Sequence, residues 1–258
     1  MTDLQRATEV ALEIAHEAGQ LALACYGRAQ VEEKHDGSLV TQADRGAEEL
    51  IRSRLAAAFP DHAVFGEEFG IGGNQASPYV WYIDPVDGTS NFVHGLPLWG
   101  VSVGLTYAER SVAGAFVMPV MQETYWGWEG GGAWQDGRRV AVADRTEMRT
   151  NDFVSIASTI LNGYQVDLPQ KLRCLGSASH ALAAVAAGHF VAAIQDNWKP
   201  YDFAAVLVMC QEAGVVVTYE DGRAFESFAG LDRSTPGPTL VAAGPGIHSR
   251  VLSGLRRR

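Results

Sequence analysis

The stretch Trp81-Tyr82-Ile83-Asp84-Pro85-Val86-Asp87-Gly88-Thr89-Ser90-Asn91-Phe92 limits the possible folds more than any other part of the chain. Trp81, Tyr82 and Ile83 have the aromatic and β-branched composition of a strand end. Gly88 and Thr89 read as the opening of a helix. Between them stand two carboxylates, Asp84 and Asp87. At about 4 Å and an effective dielectric of about 20, two such charges repel by ~4 kcal/mol. A divalent cation between them reverses the sign, and an all-oxygen ligand set suits a hard ion such as Mg²⁺. Pro85 fixes its own φ and keeps Asp84 extended, which limits how the acids are presented. The Val86 carbonyl is a candidate third oxygen. Gly88 lets the backbone approach a ligand closely, and amides at the start of a helix face an anion, typically phosphate. An isolated Asp-x-x-Asp has a second reading, a solvated turn with Asp87 as helix N-cap.

The chain can carry such a site. Its 258 residues suffice for one large domain or two closely packed subdomains, and 47% hydrophobic content supplies a core. Charged residues make up 19%, which argues against disorder. The formal net charge of −10 disfavours nucleic acid or an anionic membrane as partner. It leaves room for an anionic substrate, because a bound cation inverts the local field. No run approaches a membrane span and no signal-peptide pattern heads the chain. Cys25, Cys174 and Cys210 form no disulfide framework or zinc spacing. A cytoplasmic location and three buried structural thiols are therefore expected.

Apolar spacing predicts helices over residues 4–26 and 44–59, the second with Asp44 as N-cap. A short strand over 62–65 precedes Gly66-Glu67-Glu68, which alone reads as a solvated turn. Alternation over 99–107, 112–118 and 123–128 predicts an antiparallel meander. The composition turns polar over 143–152, the best place for a boundary between an α+β subdomain, 1–145, and an α/β subdomain, 146–258, in one compact unit. Strands over 153–157, 190–194 and 215–217 then alternate with helices over 181–187 and 202–213. Asp202 reads as the N-cap of the last of these. Gly130-Gly131-Gly132 lacks nucleotide-loop spacing.

Asp84-Pro85-Val86-Asp87-Gly88-Thr89 with Asn91-Phe92 resembles the signature of the inositol monophosphatase superfamily, which are Mg²⁺-dependent, lithium-sensitive phosphatases. Lys34 followed by Val40-Thr41-x-x-Asp44 looks like the first motif of that family, and Gly66-Glu67-Glu68 like its Gly-Glu-Glu motif. Gly176-Ser177-Ala178 resembles its substrate-contacting turn. Tyr201-Asp202-x-Ala204-Ala205 resembles its C-terminal motif, with tyrosine in place of tryptophan. These motifs occur in order over almost the whole chain. The resemblance implies a layered αβαβα sandwich of the inositol monophosphatase and fructose-1,6-bisphosphatase type. It implies two or three Mg²⁺ per site, held by Glu67, Asp84, the Val86 carbonyl, Asp87 and Asp202. Thr89 would orient the attacking water with Asp44 behind it, and Glu67 counts with them as catalytic. Gly88, Thr89 and Ser90 would hold phosphate, and Gly176, Ser177, Ala178 and Gln195 would meet the substrate. Lys34, Thr41 and Glu68 would support the ligands.

Two departures concern the substrate. Gln195 stands where the inositol phosphatases usually have a glutamate, and an amide cannot accept charge-assisted hydrogen bonds as a carboxylate does. Gly188-His189-Phe190-Val191 lacks a frequent family aspartate. Lys199-Pro200-Tyr201-Asp202 and Leu96-Pro97-Leu98-Trp99-Gly100 also look like the histidinol-phosphate phosphatase branch. The expected substrate is a small phosphate monoester, first inositol monophosphate. Histidinol phosphate, fructose 1,6-bisphosphate and adenosine 3′,5′-bisphosphate are alternatives. A homodimer is expected from the family, and a non-enzymatic binding role is the reading of a different class.

Overall fold

The computed structural model describes residues 3–28, 31–33, 39–233 and 235–258. Lys34 lies outside them. The chain opens with α1 (Leu4–Leu23), whose first turn is capped by Asp3 accepting from the Arg6 amide at 3.2 Å. An antiparallel pair, β1 (Val31–Glu33) and β2 (Leu39–Thr41), leads into α2 (Gln42–Ala58). Next come β3 (Ala63–Gly66), β4 (Gly70–Gly73), β5 (Tyr79–Asp87) and the five-residue α3 (Thr89–Val93). The expected meander follows as β6 (Gly100–Tyr107), β7 (Arg110–Met118) and β8 (Glu123–Trp128), extended by β9 (Gly132–Gln135) and β10 (Arg138–Val140).

The remaining chain holds β11 (Phe153–Ile156), α4 (Ile160–Gly163), β12 (Tyr164–Val166), β13 (Lys171–Arg173), α5 (Ala178–Ala186) and β14 (Ala192–Gln195). It ends with α6 (Pro200–Ala213), β15 (Val216–Tyr219), β16 (Leu240–Ala243), α7 (Pro245–Ser253) and β17 (Leu255–Arg257), which pairs with β12.

Two sheets organise these elements. The first runs β10-β9-β8-β7-β6-β5-β3-β4 and is antiparallel except where β3 joins β5. The second runs β13-β11-β14-β16-β15, with β11 parallel to both its neighbours and β16 antiparallel to both of its own. Side chains of a strand alternate between faces, and β5 shows the result. Trp81 and Ile83 pack with Ala11, Ile14, Ile51 and Leu55 of α1 and α2. Val80 and Tyr82 face the opposite way, into a core shared with Leu182, Val185, Phe203 and Val206 of α5 and α6. That core also takes Ala193 and Ala242 from the second sheet. The far face of the second sheet buries Ile194 and Val241 against Ile247 and Val251 of α7. The order of layers is α1/α2, first sheet, α5/α6, second sheet, α7: the αβαβα sandwich.

The seat of α6 on the first sheet is set by small residues. A Cβ at Gly104 would stand 2.3 Å from the Ala205 nitrogen, and one at Gly114 would stand 2.5 Å from the Ala205 Cα. Glycine on the sheet and alanine on the helix bring the two backbones close. Among the described residues, no helix is long and apolar enough to cross a membrane.

Candidate active site

Asp84 continues the alternation that points Val80 and Tyr82 at the α5/α6 layer. The strand does not stop at Ile83, as the sequence suggested. It runs to Asp87 through a bulge: Asp84 pairs with Ser102 and Asp87 with Gly100, three residues against two. Pro85 lies in the bulge, where its missing N–H breaks no ladder bond. The Asp84 carboxylate accepts from the Val86 amide at 3.0 Å. Gly88 follows at φ +94°, a left-handed conformation, and its lack of a side chain also spares the Leu98 carbonyl, 2.9 Å from where a Cβ would sit.

Asp202 arrives from the start of α6. It is not the N-cap; Lys199 is, and the Asp202 carboxylate accepts from the Lys199 amide at 2.6 Å in a capping box. Asp44 has the same place on α2. Thr41 is the N-cap, and Asp44 Oδ2 accepts from the Thr41 amide at 2.8 Å and its hydroxyl at 2.5 Å. Both predicted N-caps are thus third residues of their helices, each turned back on the residue before its helix.

Oxygen atoms of Asp84, Asp87 and Asp202 lie within 4.8 Å of one another. Asp84 and Asp87 are buried, and Asp202 is partly open. Burial first, then the charges of Glu67, Asp87, Asp202 and Asp44, holds the Asp84 carboxyl well above the usual carboxylate range. Burial and then Asp87 do the same to Asp202. Burial pushes Asp87 up to about 6, against hydrogen bonds from Ser177, Ala178 and Ser179. Burial also pushes Asp44 up to about 6, against its bonds from Thr41. Three closely grouped hard oxygen donors, each with its proton affinity raised by burial, fit a divalent cation.

Glu67 follows β3, its amide donating to the Ile83 carbonyl at 3.3 Å. Its charge acts on Asp44, Asp84 and Asp202, although it is not one of the three tightly grouped acids. The Thr89 hydroxyl stands 3.5 Å from Asp44 Oδ1 and 3.1 Å from the Val86 carbonyl. Ser90 is exposed on α3.

The Gly176-Ser177-Ala178 turn meets Asp87 directly. The Ser177 hydroxyl donates to Asp87, joined by the amides of Ala178 at 3.1 Å and Ser179 at 3.0 Å. Ser177 also caps α5 through the His180 amide. A cleft of about 210 Å³ extends from Asp87 and Asp202 along this turn to Ser155, Thr159, Gln195 and Asp196.

Of that far wall the sequence points only to Gln195; Ser155, Thr159 and Asp196 carry no signal in it. There the Thr159 hydroxyl donates to Asp196, and the buried Ser155 hydroxyl has no hydrogen-bond partner among the described residues. Asn91, a signature residue with no assigned role, bridges the Leu98 carbonyl at 2.6 Å and the Leu175 carbonyl at 2.7 Å through its amide nitrogen, tying the two halves of the site together. Cys174 corrects an expectation. It is exposed and lines the cleft, whereas Cys210 is buried and Cys25 intermediate.

A model of the inositol monophosphatase family matches residues 3–256. The match, on this fold, defines the class of the protein: a phosphatase, a phosphoric monoester hydrolase. The chain is 36% identical over 234 residues to a protein of Aquifex aeolicus named fructose-1,6-bisphosphatase/inositol-1-monophosphatase, covering 84% of this chain and 87% of the relative. It is 38% identical over 225 residues to a histidinol-phosphatase of Chlorobaculum parvum, covering 80% and 83%. An IMPase of Thermotoga maritima superimposes with a TM-score of 0.84 at 28% identity, covering 95% of this chain and 94% of that one. The chain belongs to the inositol monophosphatase family.

Proposed function

We propose that the protein hydrolyses the phosphate monoester of a small alcohol, with Mg²⁺ held by Asp84, Asp87, Asp202, Glu67 and the Val86 carbonyl. The observation that carries this reading is the convergence of Asp84, Asp87 and Asp202, from β5 and α6, within 4.8 Å. When bound, Mg²⁺ supplies electrostatic stabilisation to the phosphoryl and leaving oxygens and makes a water more acidic. The protein's own groups do the rest. Thr89 orients the attacking water and relays its proton to Asp44, whose carboxyl near 6 suits a base at neutral pH. In the structure the Thr89 hydroxyl chooses between Asp44 and the Val86 carbonyl. With the Val86 carbonyl among the oxygens that would hold the cation, Asp44 would be the acceptor left to Thr89. The water oxygen bonds to phosphorus, the phosphorus–alcohol bond breaks, and solvent protonates the departing alkoxide. Amides of Gly88 and Thr89, with Ser90 beside them, hold the phosphate; α3 is too short for its dipole to add much. Glu68 and Thr41 support Glu67 and Asp44.

Among the described residues, no lysine or arginine lines the cleft beyond Asp87. A second phosphate on the substrate would find no counter-charge there, which ranks the bisphosphates below the monophosphates. Inositol monophosphate is the first substrate to test. Histidinol phosphate is the second reading, favoured by Gln195 and by the Asp196 carboxylate, which suits a cationic alcohol. Phosphate release from a panel of these esters, with Mg²⁺ and with chelator, tests the proposal. Mg²⁺-dependent release from a monophosphate is expected. Turnover untouched by chelation, or retained by Asp84→Asn, would overturn it.

A further inference from the structure

Glu48 is wholly buried on α2, four residues after Asp44. Its Oε2 accepts from the Glu68 amide at 2.7 Å, and its Oε1 from the Phe69 amide at 3.1 Å and Arg52 Nε at 2.7 Å. Arg52 donates in turn to the Gly70 carbonyl. The pair therefore grips the turn after β3 along its length, and that turn carries Glu67. Gly66 completes the fit: a Cβ there would stand 2.1 Å from Glu48 Oε1 and 2.4 Å from its Cδ. The carboxylate occupies the space a side chain would need. Packing alone would be served by an apolar residue, since a buried charge is costly unless paired and hydrogen-bonded. The backbone amides of Glu68 and Phe69 explain why a carboxylate is kept.

We propose that Glu48 is a positioning residue for the metal centre: it fixes the 67–69 turn so that Glu67 stands ready before a cation arrives. The inference rests on the Mg²⁺ reading above. α2 then serves the site at two levels, Asp44 towards Thr89 and Glu48, one turn on, towards the Glu67 backbone.

Glu48→Gln replaces one acceptor oxygen by a donor that must face an amide or Arg52. In a thermal-shift titration with Mg²⁺ alone, the half-saturating concentration rises roughly 10- to 100-fold, as for loss of a partner that orients a metal ligand. At saturating Mg²⁺ the kcat stays within a few-fold of wild type. In the metal-free protein, hydrogen exchange at the Glu68 and Phe69 amides quickens. Leu55→Ala, a core change on the same helix, lowers Tm without moving the Mg²⁺ midpoint. A Glu48→Gln protein that loses stability but keeps the wild-type midpoint overturns the proposal. Should Glu48→Gln not fold, Arg52→Gln loosens the same turn from its partly exposed side, and an unmoved midpoint there overturns it equally. If the wild type shows neither a Mg²⁺ shift nor phosphate release, the metal reading falls and this inference with it. A wild-type response with unchanged variants removes only the role of Glu48.

Discussion

Asp84 is the most crowded acid of the site, and its chemistry sets opposite demands on activity and stability. Asp84→Asn keeps an oxygen for the Val86 amide and removes one charge from the cluster. We expect kcat to fall by at least about a hundredfold, the scale seen when one preorganised electrostatic group is lost. We also expect the Tm of the metal-free variant at pH 7.5 to exceed that of the metal-free wild type, because Glu67, Asp87 and Asp202 lose a repelling neighbour. Steady-state kinetics and calorimetry in chelator check the two halves. At this scale the acids were legible because charge has to be neutralised wherever it is buried, and Asp84-x-x-Asp87 announces that need locally. The partners of Asp44 and Asp202 were half legible. Thr41-x-x-Asp44 has capping-box spacing, yet apolar periodicity makes each acid an N-cap, three positions earlier in its helix than it stands. The wall formed by Ser155, Thr159 and Asp196 had no local signature, because residues 37 positions apart meet only through the parallel pairing of β11 and β14.

The seat of α6 governs where Asp202 stands. Gly114→Ala puts a methyl 2.5 Å from the Ala205 Cα, where only backbone movement relieves it. Overpacking of this kind costs about 1–3 kcal/mol, or roughly 2–12 °C in Tm for a chain of this size. Because the helix moves as a unit, the same variant should need more Mg²⁺ for half-maximal activity, a shift that a local surface defect would not cause. Melting curves and Mg²⁺ titration measure both. The meander and most helices could be read from periodicity. The length of β5 could not: proline normally ends a strand reading, and only the bulge opposite Ser102 and Gly100 carries pairing past it. Glu48 shows a comparable limit. It sits between Ala47 and Ile51 on the buried stripe of α2, and a sequence pattern takes a lone glutamate there for solvent-facing.

For the whole molecule, the coupling of charge to folding predicts a pH-dependent response to metal. Asp44 and Asp87 titrate near 6 in the fold, against about 4 unfolded, so the fold binds their protons more tightly. That contribution is present below about pH 4 and is lost as pH rises through about 6. Mg²⁺ takes over the role of the protons above that point. Saturating Mg²⁺ should therefore raise Tm by about 5–10 °C at pH 7.5 and by much less at pH 5. Comparing with and without metal at each pH cancels the opposing effect of the buried His62, His180 and His248, whose burial holds them below the usual histidine range. An equal metal shift at both pH values would contradict this account. The layering has one more consequence. Because α5 and α6 fill the space between two sheets drawn from different parts of the chain, the ribosome releases Asp84 and Asp87 well before the slab that covers them. A nascent polypeptide of the first half would carry an open apolar sheet and unmatched acids, and it becomes competent only when the late helices slide in. Severing the gene after β10 should yield two insoluble products rather than two working modules.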